Sequence, residues 1–358
     1  MFLPNLNFSD RKFIKVFFSC FLMGRFKLAF RNAVDLITEN ELRKLLLDKK
    51  QPVAYYGIAP TGPVHIGYFA TLGKIFDFME AGIKTKILIA DIHAALDDLK
   101  TPWGDIGKKA EYYKKCIELS FPWKTKPEFI LGSDYQLGND YMLDVLELSS
   151  MATITRAKRA ASEVTRMKDP KVSELIYPVM QALDEQYLDV DIQLGGIDQR
   201  HIMAFAREYL PKLGYRPRIE LMMPLMVGLK GLGVKMSASI PESCIKVHDS
   251  ESVIKKKIGN AYCPEGSVKG NPIAQICKFI IFVVDGKLKL ERPIKFGGDA
   301  EFKDYEEFEK AYLAKKIHPL DLKNAVSSAL VRILKKPREY FEKHKKELEK
   351  FNDERFLN

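Results

Sequence analysis

Cysteine is scarce, and the spacing that would give it chemistry is missing. The five residues, Cys20, Cys116, Cys244, Cys263 and Cys277, are odd in number and far apart. No CxxC pair and no HExxH run occurs, so neither a disulfide framework nor a metal site is supported. Reduced thiols in a cytoplasmic protein are the simple account. No apolar run is long enough to cross a bilayer, which needs ~20 residues. The stretch from Phe13 to Met23 is short and broken by Lys15, so no membrane association is expected from it. Low-complexity blocks and repeats are also missing, which excludes disorder, solenoids and propellers. Between Asp10 and Asp35 there is no acidic residue, while Arg11, Lys12, Lys15, Arg25, Lys27 and Arg31 are present. That composition fits a targeting segment. It equally fits a misassigned start with Met23 as the first residue. Residues 1–33 therefore count as an extension, outside the fold argument.

What is present is ordinary globular material with a basic excess. The 358 residues are 46% hydrophobic and 29% charged, with a formal net charge of +10. The length allows two domains and a large core. The excess of positive charge points to a polyanionic partner, nucleic acid first and a membrane surface second. A solvated lysine-rich surface would give the same number.

Strand and helix signals alternate along the first two thirds. Residues 35–49 read as an amphipathic helix with Thr38 as N-cap and Glu41 three residues on. Val53–Ala59 reads as a buried strand, broken by PTGP. HIGYFATLGKIFDFMEAG follows as a helix ending at Gly82. Lys86–Asp91, EFILGSD and DVDIQL read as further strands. Helices are expected over Ile106–Phe121, from Asp140 to about Met167, over Tyr177–Leu188, and after Gly195 and Gly196. This alternation predicts an α/β fold with a parallel sheet over residues 34–240. Ligands then bind beyond the carboxyl ends of the strands. After Pro241 the strand signal fades, apart from Ile280–Val284, and lysine-rich helical segments take over. Residues 241–358 are expected to form a mainly α-helical second domain.

Three clusters carry chemistry. The first is the turn Pro60-Thr61-Gly62-Pro63-Val64-His65-Ile66-Gly67-Tyr68. It runs into a helix whose free N–H groups and positive dipole end suit a phosphate chain. His65 can reach that phosphate or serve merely as a polar cap. The second is Lys235-Met236-Ser237-Ala238-Ser239, approached through Gly228, Gly231 and Gly233. Glycine makes the approach pliable, Lys235 brings a compact cation, and the serines bring hydroxyls. The third is YPVMQALDEQYL, where Tyr177, Gln181 and Asp184 fall on one helix face. A core-facing stripe would be apolar there, so this face is either a binding surface or a structural polar network. Tyr55, from the first strand, and Gln199, from GGIDQR, approach the same region.

The pair HIGY and KMSAS, in that order, resembles the HIGH and KMSKS signatures of class I aminoacyl-tRNA synthetases. With AYYG, IADIH, YPVMQALD, GGIDQR, AYCPEG, KFGGD and HPLDLKNAV, the chain resembles tyrosyl-tRNA synthetases of the archaeal and eukaryotic cytosolic type. The resemblance implies a Rossmann-like catalytic domain, a helical anticodon-binding domain and a homodimer. It implies ATP as a substrate, accompanied by Mg²⁺, with L-tyrosine and tRNA(Tyr) as partners. His65, Lys235, Ser237 and Ser239 would be catalytic, and Gly57, Gly67 and Met236 would join His65 and Lys235 around ATP. Asp184 and Tyr55 would bind the phenol hydroxyl. Tyr177, Gln181 and Gln199 would hold the α-amino group. Lys158, Arg159 and Arg200 would face the acceptor stem, and Phe296, His318 and Asp321 the anticodon. Two positions depart from the signatures: Tyr68 is the fourth residue of the first, and Ala238 the fourth of the second. A tryptophanyl enzyme shares both signatures, but an indole has no hydroxyl for Tyr55 and Asp184. The remaining alternatives are a nucleotidyltransferase acting on another small molecule and an RNA-binding protein that has lost catalysis.

Overall fold

The computed structural model describes residues 23–163, 171–231, 233–351 and 353–357. Helical residues 23–30 (α1) lead into β1 (Asp35–Ile37) and α2 (Glu39–Asp48). The expected capping box is present: Thr38 Oγ1 accepts from the Glu41 N–H (3.3 Å) and Glu41 Oε2 accepts from the Thr38 N–H (3.1 Å). The helix therefore starts at Glu39, not at Asp35. The residues before the cap, Asp35–Ile37, pair antiparallel with Glu220–Met222 instead.

The portion up to residue 240 then alternates as expected. Its strands are β2 (Val53–Ile58), β3 (Lys84–Ile89), β4 (Glu128–Leu131), β5 (Ile192–Gly196) and β6 (Ile219–Met223). Between them lie α3 (Phe69–Glu80), α4 (Asp91–Leu96), α5 (Ile106–Ser120), α6 (Asn139–Met151), α7 (Ile154–Ala161), α8 (Val172–Tyr187) and α9 (Arg200–Tyr209). The strand order is β1-β6-β5-β2-β3-β4, and all neighbours except β1 and β6 are parallel. The order reverses between β2 and β5, so a crevice opens at their carboxyl ends.

Several expectations need correction. The helix expected from Asp140 to about Met167 is two helices: Ala152 ends α6, and Thr153 caps α7 by accepting from the Arg156 N–H (3.2 Å). Residues 164–170 lie outside the described residues. β6 carries Glu, Leu and Met, which favour helix over strand. Its place between β5 and β1 decides the matter. Ile280–Val284 is helical rather than extended, in a wide-turn segment Cys277–Ile281 continued by α12 (Phe282–Val284). A short apolar run fits a buried helix as well as a buried strand. Here Gly73 of α3 lets the Phe279 carbonyl approach to where a side chain would otherwise start.

The remaining elements are α10 (Glu251–Asn260), α11 (Pro272–Ile276), a hairpin of β7 (Leu288–Leu290) and β8 (Ala300–Phe302), α13 (Tyr305–Leu313), α14 (Pro319–Ile333), α15 (Lys335–Lys343), α16 (Lys345–Glu349) and α17 (Glu354–Leu357). One apolar core runs from α2 and α3 through β2 and β3 to α10, α14 and Phe356. A second core joins α6, α8 and α9 on the other side of the sheet. Residues of both cores line the crevice.

Candidate active site

The crevice is a cavity of about 510 Å³ lined by both signatures, the carboxyl end of β2, α8 and the turn after β5. Its deep end is a polar network built across the sheet. Tyr55 of β2, Gln193 of β5 and Glu220 of β6 are register partners on one face. The face of α8 carrying Gln181, Asp184 and Glu185 covers them. Only one orientation of the Gln193 amide matches donors to acceptors. Its nitrogen donates to Glu185 Oε1 (2.5 Å) and Glu220 Oε2 (3.1 Å), and its oxygen accepts from Tyr55 OH (2.9 Å) and Gln181 Nε2 (3.1 Å). Burial raises both carboxyls well above the usual range, although Arg218 and Arg207 pull the other way. Two buried acids this close retain a proton where isolated ones would not.

Asp184 is the centre of the deep end. It is 1% exposed. Its Oδ1 accepts from Tyr135 OH (2.7 Å), Gln136 Nε2 (2.8 Å) and Tyr141 OH (2.9 Å). Oδ2 lies toward the cavity, with His93 Nε2 at 3.9 Å. Burial pushes the carboxyl up to about 7, against the three donors that hold it down. His93 is pushed down to about 4 by burial and is neutral. Its ring meets Tyr177 edge-on at 4.6 Å, and its Nε2 is buried without a hydrogen-bond partner. Nearer the mouth, Gln181 Nε2 donates to Gln199 Oε1 (3.1 Å). The five residues expected to read tyrosine are thus brought together around one cavity.

The open end joins the two signatures. His65 caps the short turn Ile66–Tyr68, its Nδ1 accepting from the Gly67 N–H (3.1 Å). That bond leaves Nε2 as the site of the proton. Burial pushes the imidazole down to about 4, so it offers a neutral donor rather than a charge. A Cβ on residue 67 would lie 2.6 Å from the His65 ring and 3.3 Å from Met236 Cβ, so only glycine fits there. Gly67 thus makes room for the capping ring and for the second signature, in addition to any ligand. The Tyr112 and Tyr113 hydroxyls accept from the Val64 and Gly62 N–H groups (3.0 and 3.3 Å) and hold the turn from behind. Across the cavity, Met226 and Met236 are joined by a backbone bond of 2.9 Å. Lys235 sits 3.8 Å from Asp198 and is half exposed. The Ser237 and Ser239 hydroxyls are 2.9 Å apart. Gly57 opens on the same cavity from β2.

The positions expected to touch RNA are separate from this cavity. Lys158 and Arg159 are exposed on α7, and Arg200 pairs with Asp35 (2.6 Å). His318 caps α14 by accepting from the Leu320 N–H (3.2 Å), and Asp321 lies in that helix's first turn. Arg292 links the KFGGD loop to this point by donating to the Gly298 and Lys316 carbonyls (2.6 and 3.1 Å). The Phe296 side chain lies outside the described residues.

Sequence reasoning missed Tyr135, Gln136, Tyr141, His93, Gln193, Glu185 and Glu220. The signal for Gln193 and Glu220 was a lone polar residue inside a buried strand. For Tyr135 and Gln136 it was a polar pair after the turn Gly132–Asp134 that follows β4.

Residues 47–335 match the profile of class I tRNA synthetases for W and Y. The chain is 44% identical to the tyrosine–tRNA ligase of Archaeoglobus fulgidus, over 88% of this chain and 96% of that protein. It is 42% identical to the cytoplasmic tyrosine–tRNA ligase of Danio rerio, over 89% of this chain and 60% of that one. The crystal structure of the Archaeoglobus fulgidus tyrosyl-tRNA synthetase with L-tyrosine superposes with a TM-score of 0.85, at 43% identity, covering 89% of this chain and 99% of that one. The chain belongs to the class I tRNA synthetases of the W and Y family and, within it, to the tyrosine–tRNA ligases.

Proposed function

We propose that the cavity performs both half-reactions of tyrosine–tRNA ligation with the residues named above. The phenol ring of tyrosine enters the deep end, and its hydroxyl donates to Asp184 Oδ2. Tyr55, whose proton is directed to Gln193 in the structure, turns it to donate to the phenol oxygen. Tyr177, Gln181 and Gln199 take the ammonium group. The substrate carboxylate then points at the open end. There it attacks the α-phosphorus of ATP, the bond from that phosphorus to the bridging oxygen breaks, and pyrophosphate leaves. The protein supplies no nucleophile; it positions the reactants and stabilises developing charge. His65 Nε2–H, Lys235 and the two serine hydroxyls are the donors for that charge. A ribose hydroxyl of the terminal tRNA adenosine, the 2′-hydroxyl by class, then takes the tyrosyl group and AMP leaves.

The described residues contain no group of three or more His, Cys, Asp or Glu side chains able to cage a metal. Magnesium enters as the companion of ATP. Residues 34–240 form the catalytic portion, 241–358 contribute the anticodon surface, and the working protein is a cytoplasmic homodimer. Exposed apolar side chains on α6 and at the start of α7 support the dimer: Leu143, Leu146 and Ile154 are 63%, 65% and 72% exposed. On the RNA side, Lys158, Arg159 and Arg200 meet the acceptor stem, and Phe296, His318 and Asp321 the anticodon.

The observation that carries this reading is Asp184, whose one oxygen is saturated by three donors while the other is left for a ligand hydroxyl. ATP–pyrophosphate exchange with tyrosine, tryptophan or phenylalanine tests it. Exchange with tyrosine alone is expected. Equal exchange with phenylalanine would remove the role given to Asp184 and Tyr55.

A further inference from the structure

The cations around the open end do not all come from the two signatures. The segment that follows α14 turns back over the turn that carries His65. Phe341 of α15 packs on Tyr112 at 5.3 Å. Phe351 and Phe356 are buried, lie 4.4 Å apart, and meet the same Tyr112 ring at 5.5 and 5.2 Å. Polar contacts fix the backbone there: Lys246 Nζ donates to the Arg355 carbonyl (3.2 Å) and His248 Nε2 to the Phe356 carbonyl (3.1 Å). This strap is thus fastened to residues that follow the second signature and to the tyrosine that braces the first. Its Arg355 side chain lines the active-site cavity.

The place Arg355 reaches is informative. A methyl group built on Gly62 would meet two atoms, Ala238 Cβ at 3.6 Å and Arg355 Nη1 at 3.7 Å. The guanidinium and the fourth position of the second signature therefore both face Gly62. KMSKS has a lysine at that position, and this chain has a methyl. The first signature adds no charge either, because His65 is neutral at physiological pH. A triphosphate in this end meets Lys235, Lys100 and Arg355, which stand by Asp198 (3.8 Å), Asp97 (2.6 Å) and Asp353 (2.6 Å) respectively. The Arg355–Asp353 pair is bidentate, with Nε donating to both carboxylate oxygens (2.9 and 3.0 Å) and Nη2 to one of them (2.6 Å), so Nη1, the nitrogen near Gly62, is the one that faces the cavity. A guanidinium fork binds phosphate bidentately, which a lysine does not.

We propose that Arg355, delivered by the C-terminal strap, binds the phosphates of ATP that leave as pyrophosphate and supplies the cation that the second signature lacks at Ala238. On activation the bond from the α-phosphorus to the bridging oxygen breaks, and the electron pair stays with pyrophosphate. Arg355 keeps Asp353 on its Nε–Nη2 edge and turns Nη1 toward that growing charge. The proposal rests on the triphosphate lying between the two signatures.

The test is exchange and its reverse, pyrophosphorolysis, on the full chain with Arg355→Ala, Arg355→Lys and Lys235→Ala. A hydrogen bond to a charged group contributes ~1.5–3 kcal/mol, so Arg355→Ala should lower kcat/KM for ATP by roughly 10- to 100-fold. The KM for pyrophosphate should rise, the KM for tyrosine and the melting temperature should stay, and Arg355→Lys should recover part of the loss. Unchanged ATP and pyrophosphate parameters in Arg355→Ala, beside a defective Lys235→Ala, would overturn this proposal alone. Normal parameters in both variants would overturn it together with the placement of the triphosphate. A loss that affects tyrosine and ATP equally and lowers the melting temperature would make Arg355 a structural clasp, against the proposal.

Discussion

At the deep end of the cavity, Asp184, Tyr55 and Gln193 are 1%, 1% and 2% exposed; Asp184 and Gln193 are each held by several partners, and Tyr55 by Gln193. At the open end, Lys235 is 56% exposed, its nearest carboxylate is 3.8 Å away, and the Ser237 and Ser239 hydroxyls contact each other. On the proposed reading the two ends face different tasks. Reading a hydroxyl requires polar groups that lose their partners when the hydroxyl is absent, and burial makes that loss costly. Stabilising a leaving pyrophosphate requires cations that can exchange a weak protein partner for a phosphate. Rigidity serves selection, and loose pairing serves turnover.

The largest expected effect separates the two ends by selectivity. Asp184→Ala should collapse the preference for tyrosine over phenylalanine, measured as the ratio of kcat/KM in exchange. Enzymes of this family reject phenylalanine by ~10⁵, a figure that belongs to the family as a whole rather than to this chain. Because Tyr135, Gln136 and Tyr141 would also lose their acceptor, the isosteric Asp184→Asn is the companion variant. A retained preference in both variants would show that the phenol is read elsewhere.

Next in size are changes at the open end, which should leave selectivity intact. Lys235→Ala should lower the exchange rate by ~10²–10³, the usual loss for one preorganised donor to developing charge. His65→Ala should act in the same direction, with little effect on tyrosine affinity. A rise in tyrosine KM as large as the loss in kcat would erase the division between the ends.

How much of this was legible in the sequence follows the same division. The open end is made of local motifs, so HIGY and KMSAS could be read directly. The deep end was half legible. Tyr177, Gln181 and Asp184 stood out because they share a helix face. The strand residues behind them did not, because Tyr55, Gln193 and Glu220 become neighbours only through the register of β2, β5 and β6. β6 is not named among the expected strands, and its Glu, Leu and Met favour helix. Arg355 was invisible for the same reason in extreme form: its place depends on a strap returning over Tyr112.

A tenfold effect per pH unit should follow from Asp184. Burial raises its carboxyl to about 7. A phenol that donates to Oδ2 binds the ionised form, so the protonated form must first lose its proton. Log kcat/KM for tyrosine should therefore fall with a slope of about one as the pH drops below ~7. The same plot for Asp184→Asn should be flat. His65 contributes no step near neutrality, since it is already uncharged there. A flat wild-type profile from pH ~5.5 to ~7 would mean that the substrate does not use this carboxylate.

The smallest effect tests whether the deep end's rigidity depends on a retained proton. Glu185 and Glu220 both carry raised values, Glu185 to about 8, with burial as the main cause. In the unfolded chain each would ionise near its usual value, so around neutral pH the folded state binds more protons than the unfolded state. The resulting stability is fully present below the unfolded value and is lost as the pH rises through the raised one. Wild-type protein should therefore melt at a lower temperature at pH ~9 than at pH ~7. Glu220→Gln keeps a hydrogen-bonding group beside Glu185 but cannot ionise, so its melting temperature should fall less, by ~2 °C. If the two proteins lose the same stability over that interval, the pair does not share a proton. Gln193 would then be oriented by Tyr55 and Gln181 alone.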